Sequence, residues 1–227
     1  MGDVPKHDGT GHRARLRERL LADSDGLLDY ELVEYLLGLT IPRRDTKPLA
    51  KALLKEFGGI AGLLTANPDA ISRVPGMGDT SVAALKVAHA AALRLLKAEV
   101  AEKPVLANWQ ALLDYLRADM AHHAIERVRV LHLNTRNMLI RDELMAEGSI
   151  DEAPVYVREV IRRAIDLGSA AIILVHNHPS GDPSPSRADI DLTRAVAEAG
   201  KKMGIAVHDH IIIGTKGFTS LRGQGLI

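Results

Sequence analysis

Residues 170–175, Ala-Ala-Ile-Ile-Leu-Val, form an unbroken apolar run that stops at His176-Asn177-His178 and is followed by a turn-rich loop. A short apolar run bounded in this way reads as a buried strand, which commits this part of the chain to a sheet. The surrounding segments agree. Val128 to Leu133 reads as a strand and Val155 to Leu167 as a helix, while Leu192, Ala195, Val196, Ala199 and Met203 mark a further helix face. Ile205-Ala206-Val207 and Ile211-Ile212-Ile213 mark a strand pair or one long strand. Strands interleaved with helices indicate an α/β or α+β domain.

Upstream the pattern differs. From about Gly11 to Val100 short periodic stretches alternate with turn signals, which reads as an all-α domain. Leu28, Leu32, Tyr35, Leu36 and Leu39 fall on one helical face, with Asp29 near the start of that helix, and Ile41 to Asp45 ends it. A second helix runs from Pro48 to Phe57 and stops at Gly58-Gly59, and a last one covers about Thr80 to Ala98. The short polar stretch Ala101-Glu102-Lys103-Pro104 is the best linker. The expected organisation is a disordered tail over 1–10, a helical domain over 11–100, a linker over 101–108 and a catalytic-size domain over 109–227.

Composition sets the limits on function. A chain of 227 residues is long enough for two modest cores, and its 46% apolar and 26% charged residues are ordinary for a folded protein. It has no cysteine, so a transition-metal site must draw on His, Asp or Glu. No apolar run approaches the roughly 20 residues that span a bilayer, and no signal-peptide core follows Met1, so a cytoplasmic protein without a membrane partner is expected. Basic and acidic residues balance at 29 each, with 14 and 13 of them up to residue 100, so neither part carries the basic excess of a strong non-specific nucleic-acid binder.

His176 and His178 sit two apart at the mouth of the buried strand, so both point to one side. The segment Pro179-Ser180-Gly181-Asp182-Pro183-Ser184-Pro185 can neither continue a strand nor begin a long helix, and must fold back. Ser186-Arg187-Ala188-Asp189 then opens the next helix, placing Asp189 in its first turn where its carboxylate can face the imidazoles. Each half alone has a plain explanation. A single His-x-His is commonly incidental, and Ser-x-x-Asp is ordinary capping chemistry. Together they offer two imidazoles and a carboxylate, donor types that a catalytic zinc takes when it keeps one position open.

Strand, His-x-His, seven residues, Ser, two residues and Asp is the arrangement that resembles the JAMM (MPN+) metallopeptidase family. The string His176-Asn177-His178-Pro179-Ser180-Gly181-Asp182-Pro183 looks like its RadC branch, with RadC-like features over nearly the whole chain. The resemblance implies a cytidine-deaminase-like α/β domain, one zinc held by His176, His178 and Asp189, oxyanion support from Ser186 and an upstream glutamate as base. Glu126, Glu147 and Glu159 compete for that role. Glu126 is preferred because it precedes the strand Val128 to Leu133, as the family's glutamate precedes its first domain strand, whereas Glu159 reads as a helix residue on a solvated face or paired with Arg162 or Arg163. The second His-x-His, His208-Asp209-His210, is the rival metal site but has no nearby Ser-x-x-Asp; Asp209 and His210 resemble the RadC pattern, in a structural role or one supporting the metal ligands, and His208 lies outside it. His122-His123 reads as surface.

Ile71 to Gly78 followed by a helix resembles a helix-hairpin-helix, in which Gly76 and Gly78 let the backbone approach a phosphate. Val82 and Asp79 depart from that pattern. Arg13, Arg15 and Arg17 form a separate basic patch for DNA, or a solvated helix face. The expectation is a zinc metallohydrolase acting on a peptide or protein, with a helical accessory domain and a homodimer as one oligomeric state. The alternatives are a DNA-binding or DNA-processing protein, a nuclease included, and an inactive MPN scaffold.

Overall fold

The computed structural model describes residues 9–148 and 155–227, which fall into two compact units divided between Ala91 and Ala92. The tail expected over 1–10 lies outside the described residues as far as residue 8, and helix α1 begins at Gly9. The first unit is helical: α1 (Gly9–Ala22), α2 (Asp29–Thr40), α3 (Lys47–Glu56), α4 (Ile60–Thr65), α5 (Pro68–Ser72) and the start of α6 (Asp79–Glu102). Val33, Leu37, Leu53, Leu63, Ile71 and Leu85 meet in its core.

Helix α2 corrects one expectation. The face it buries carries Glu31, Val33, Glu34 and Leu37, while Leu28 and Leu39 are 60% and 66% exposed. Pairing with α1 makes this possible, because Arg19 meets Glu31 at 2.7 Å and His12 meets Glu34 at 2.8 Å. A carboxylate with a cationic or hydrogen-bonding partner can be covered where an unpaired one could not.

The linker expected over 101–108 is also built differently. Helix α6 crosses the division and runs on to Glu102, and a 3₁₀ turn follows at Val105–Ala107. Val100 and Val105 are fully buried in the second unit's core, so the segment is anchored by packing. Its polar residues had suggested a free connection.

The second unit then continues with α7 (Trp109–Met120), β1 (Arg127–Leu133), β2 (Leu139–Glu147), α8 (Val157–Asp166), β3 (Ala171–Asn177), α9 (Arg187–Lys202), β4 (Ala206–Gly214) and β5 (Gly217–Ser220). Among the described residues this gives nine α-helices and one five-stranded sheet of order β2-β1-β3-β4-β5, so the chain is mixed α/β. Strands β3 and β4 are parallel and the other neighbours antiparallel. Residues 205–213, read as a strand pair or one strand, resolve into the single strand β4. No described helix is long and apolar enough to cross a membrane.

Side chains of β3 alternate between two cores. Ala171, Ile173 and Val175 join Leu112 and Leu116 of α7, and Ile172 and Leu174 join Val160 of α8 and Val196 of α9. Every β3 residue is buried, as an unbroken apolar run requires. In β4 the register slips by one opposite Ile172 and Ile173, pairing them with Val207 and Asp209 and leaving His208 as the extra residue. This bulge lets Val207 face α9 while Ile211 and Ile213 face α7, and it brings His210 round to the α9 side.

On that same side of β1, His132 is fully buried, with Nδ1 3.0 Å from Ser169 Oγ and Nε2 3.7 Å from Glu143. Burial pushes its pKa below the ordinary 6.5, and Glu143 offsets part of that effect. Above pH 6.5 the ring is neutral in both states and costs nothing; below it the unfolded chain protonates first, so stability falls with pH. Urea titrations of wild type and His132→Gln should therefore show the larger loss between pH 7 and pH 5 in wild type. An identical loss in both would remove His132 from the account.

Candidate metal centre

His176 is the sixth residue of β3 and continues the even-numbered face that carries Ile172 and Leu174 toward α9. The backbone of His178 still donates to Ile213 at 2.9 Å, so the strand geometry holds one residue beyond β3 and both imidazoles lie on one side. The chain then turns sharply. Gly181 N donates to His178 O at 2.9 Å with Gly181 at φ 80°, and a Cβ there would lie 2.3 Å from Thr215 Oγ1, so this position requires glycine.

The turn delivers Ser186 as the N-cap of α9 and Asp189 to its first turn. Ser186 Oγ accepts from Asp189 N at 3.2 Å, and Ser186 N and Oγ each donate to Asp189 Oδ2 at 2.7 Å. Asp189 is completely buried, and its other oxygen, Oδ1, has no hydrogen-bond partner. That oxygen lies 3.3 Å from His176 Nε2, and His178 Nε2 lies 2.9 Å from His176 Nε2. One donor atom from each of His176, His178 and Asp189 lies within 4.8 Å of the others, and among the described residues this is the sole such group.

The protonation of the cluster matters more than its proximity. His178 Nδ1 is 2.8 Å from the main-chain oxygen of Asp182, which can only accept, so Nδ1 carries a proton and donates it there. Burial lowers the pKa of His176 to about 4, and Asp189 on one side and His178 on the other alter it less. Two imidazoles and a buried carboxylate oxygen without a hydrogen-bond partner suit a divalent cation, and by donor type the set fits zinc. His178 is the outward member, with 19% of its side chain exposed against 1% for His176 and Asp189.

Glu126 ends the loop before β1, where its carbonyl accepts from Gly148 N at 2.9 Å. The antiparallel register pairs Val128 with His176, and continuing it places Glu126 opposite His178. Glu126 itself lies one residue outside β1 and is not in the group of side chains that could hold a metal. The other glutamates are held by arginines. Glu147 pairs with Arg127 at 3.3 Å, and Glu159 pairs with Arg162 at 2.9 Å on an exposed helix face.

The residue between the two histidines was not singled out from the sequence. Asn177 is fully buried and points the opposite way, where its Oδ1 accepts from Arg127 N at 2.9 Å and its Nδ2 donates to Ile125 O at 3.2 Å. It clamps the backbone on either side of Glu126. Alternation along a strand was the available signal, since a polar residue between two inward-facing histidines must face the other layer.

His210, also fully buried, touches the cluster directly, with Nε2 2.8 Å from His176 Nδ1. Asp209 does not. Its carboxylate accepts from Ser220 Oγ, from Arg222 N and from the His210 amide at 2.7 Å, so it ties β4 to the turn after β5 and holds the backbone of His210. His208 Nε2 is 2.7 Å from Asn137 Oδ1, away from the cluster.

The residues expected to reach DNA lie in the first unit. Gly76 has φ 97° in the turn between α5 and α6, and Gly78 accepts from Ser81 N and Val82 N at the start of α6. Val82 is buried in the helical core. The Arg13 guanidinium is committed to the carbonyls of Ile41 and Arg44, while Arg15 and Arg17 are exposed.

A family model described as RadC-like JAB domain matches residues 106–226, more than half of the chain and the whole of the sheet that carries these side chains. The chain belongs to this family. Its match begins at the 3₁₀ turn ahead of α7 and takes in β3, the loop after it and α9, the three segments that bring His176, His178 and Asp189 together.

The clamp made by the RadC-like domain's Asn177 can be tested by stability. Replacement by Leu leaves the Arg127 amide and the Ile125 carbonyl buried without that partner, a cost of about 2–3 kcal/mol. Chemical denaturation of Asn177→Leu should show that loss, and an unchanged midpoint would mean the clamp carries no load.

Proposed function

We propose that the chain is a zinc-dependent hydrolase of amide bonds, a peptidase or isopeptidase, working with one metal per chain. The observation that carries this reading is the buried Oδ1 of Asp189, without a hydrogen-bond partner, 3.3 Å from His176 Nε2 in a cluster that His178 completes. Such an arrangement is costly without a cation, because a buried carboxylate oxygen is left without a hydrogen-bond partner.

Bound there, zinc would supply a Lewis acid for the scissile carbonyl and bring the pKa of a water toward about 7. The chain's own residues do the rest. Glu126, just before β1, takes the proton from the attacking water and returns it to the leaving amine. Ser186 stands at the start of α9, and its hydroxyl, given to Asp189 Oδ2 in the resting chain, is the donor available to a developing oxyanion. The exposed edge of His178 marks the side from which a substrate approaches.

Metal analysis of the purified full chain should return about one zinc per chain, lost in His178→Ala. Glu126→Gln should keep the metal and lower hydrolysis of peptide or isopeptide substrates by about 10²–10⁴-fold. A wild-type protein without stoichiometric metal, activity indifferent to Glu126→Gln, or cleavage of single-stranded DNA in place of peptides would overturn the reading.

A further inference from the structure

Thr193 is fully buried one turn beyond Asp189 in α9. Its hydroxyl reaches back to the main-chain oxygen of Asp189 at 2.5 Å, a common habit of threonine inside a helix. What is not common is the second contact of the same oxygen, 2.6 Å from His210 Nδ1.

A hydroxyl has one proton and a carbonyl can only accept. The hydroxyl proton therefore lies on the carbonyl contact, since the opposite choice would set two oxygen lone pairs against each other. Thr193 Oγ1 then accepts from His210, which puts the single proton of that neutral ring on Nδ1 and a lone pair on its Nε2. His210 Nε2 is 2.8 Å from His176 Nδ1, so the latter carries the N–H. His176 Nε2 is left as a lone pair directed at His178 and Asp189.

We propose that Thr193 and His210 are positioning residues that fix the tautomer of His176 through a one-way hydrogen-bond chain from His176 Nδ1 to His210, Thr193 and the Asp189 carbonyl. The chain begins on one candidate ligand and ends on the backbone of another, so α9 and β3 are set against each other by the bonds that aim the imidazole. The significance of the tautomer rests on the metal reading above, and the test separates the two.

Long-range ¹⁵N–¹H correlation spectra of the metal-free full chain should show His176 protonated at Nδ1. In Thr193→Val that proton should redistribute toward Nε2, and Thr193→Ser should restore the wild-type pattern. Zinc affinity, read by competition with a chelator at one fixed pH, should fall by about 10- to 100-fold in Thr193→Val and largely recover in Thr193→Ser. A purely structural threonine would lower thermal stability and leave the nitrogen shifts alone. A wild-type His176 protonated at Nε2 overturns the inference by itself, whether or not Thr193→Val folds. Equal zinc affinity in wild type and a folded Thr193→Val also overturns it. A wild type that binds no zinc while showing the Nδ1 proton defeats the metal reading and leaves the hydrogen-bond chain standing.

Discussion

Strand β3 is covered on both faces, and nearly everything about the site follows from that. A strand in this position must send alternate side chains into two cores, here toward α7 on one side and toward α8 and α9 on the other. His176 and His178 therefore share the α9 side, and Asn177 between them is forced to the other, where it secures the backbone around Glu126. The parallel partner β4 could not supply His210 to the same side and Ile211 and Ile213 to the other without the extra residue at His208.

The second constraint is electrostatic. Asp189 has no exposure, and its Oδ2 is satisfied by Ser186 from the cap of the same helix, which leaves Oδ1 to look for a positive partner outside the protein's own donors. Burial keeps His176 and His210 neutral, so neither ring provides that charge. A cluster of this kind is a poor way to stabilise a fold, and its three side chains could hold a metal ion. Around this carboxylate, Asp182 O contacts His178 Nδ1 and Thr193 Oγ1 contacts His210 Nδ1.

Much of this was legible in the sequence. The apolar run of β3, the return loop and the Ser-x-x-Asp start of α9 carry strong local signals, so the meeting of His176, His178 and Asp189 could be anticipated from period and turn chemistry. Strand β2 could not, because Leu-Ile-Arg-Asp-Glu-Leu-Met-Ala-Glu at the sheet's edge lacks clean alternation. The buried face of α2 was misread for a related reason: Glu31 and Glu34 look like surface residues until Arg19 and His12 on another helix are known to pair with them. The β4 bulge and the Thr193 contact depend on tertiary placement, and a single threonine inside an amphipathic helix gives no sign of which ring it will meet.

Crystals of the full chain grown with zinc and measured on both sides of the zinc absorption edge would test the central claim most directly. The account predicts one anomalous peak, at coordinating distance from His176 Nε2, His178 Nε2 and Asp189 Oδ1. A peak at His208 or elsewhere on the surface, or a zinc-free cluster with Asp189 Oδ1 bonded to a protein hydrogen, would contradict it.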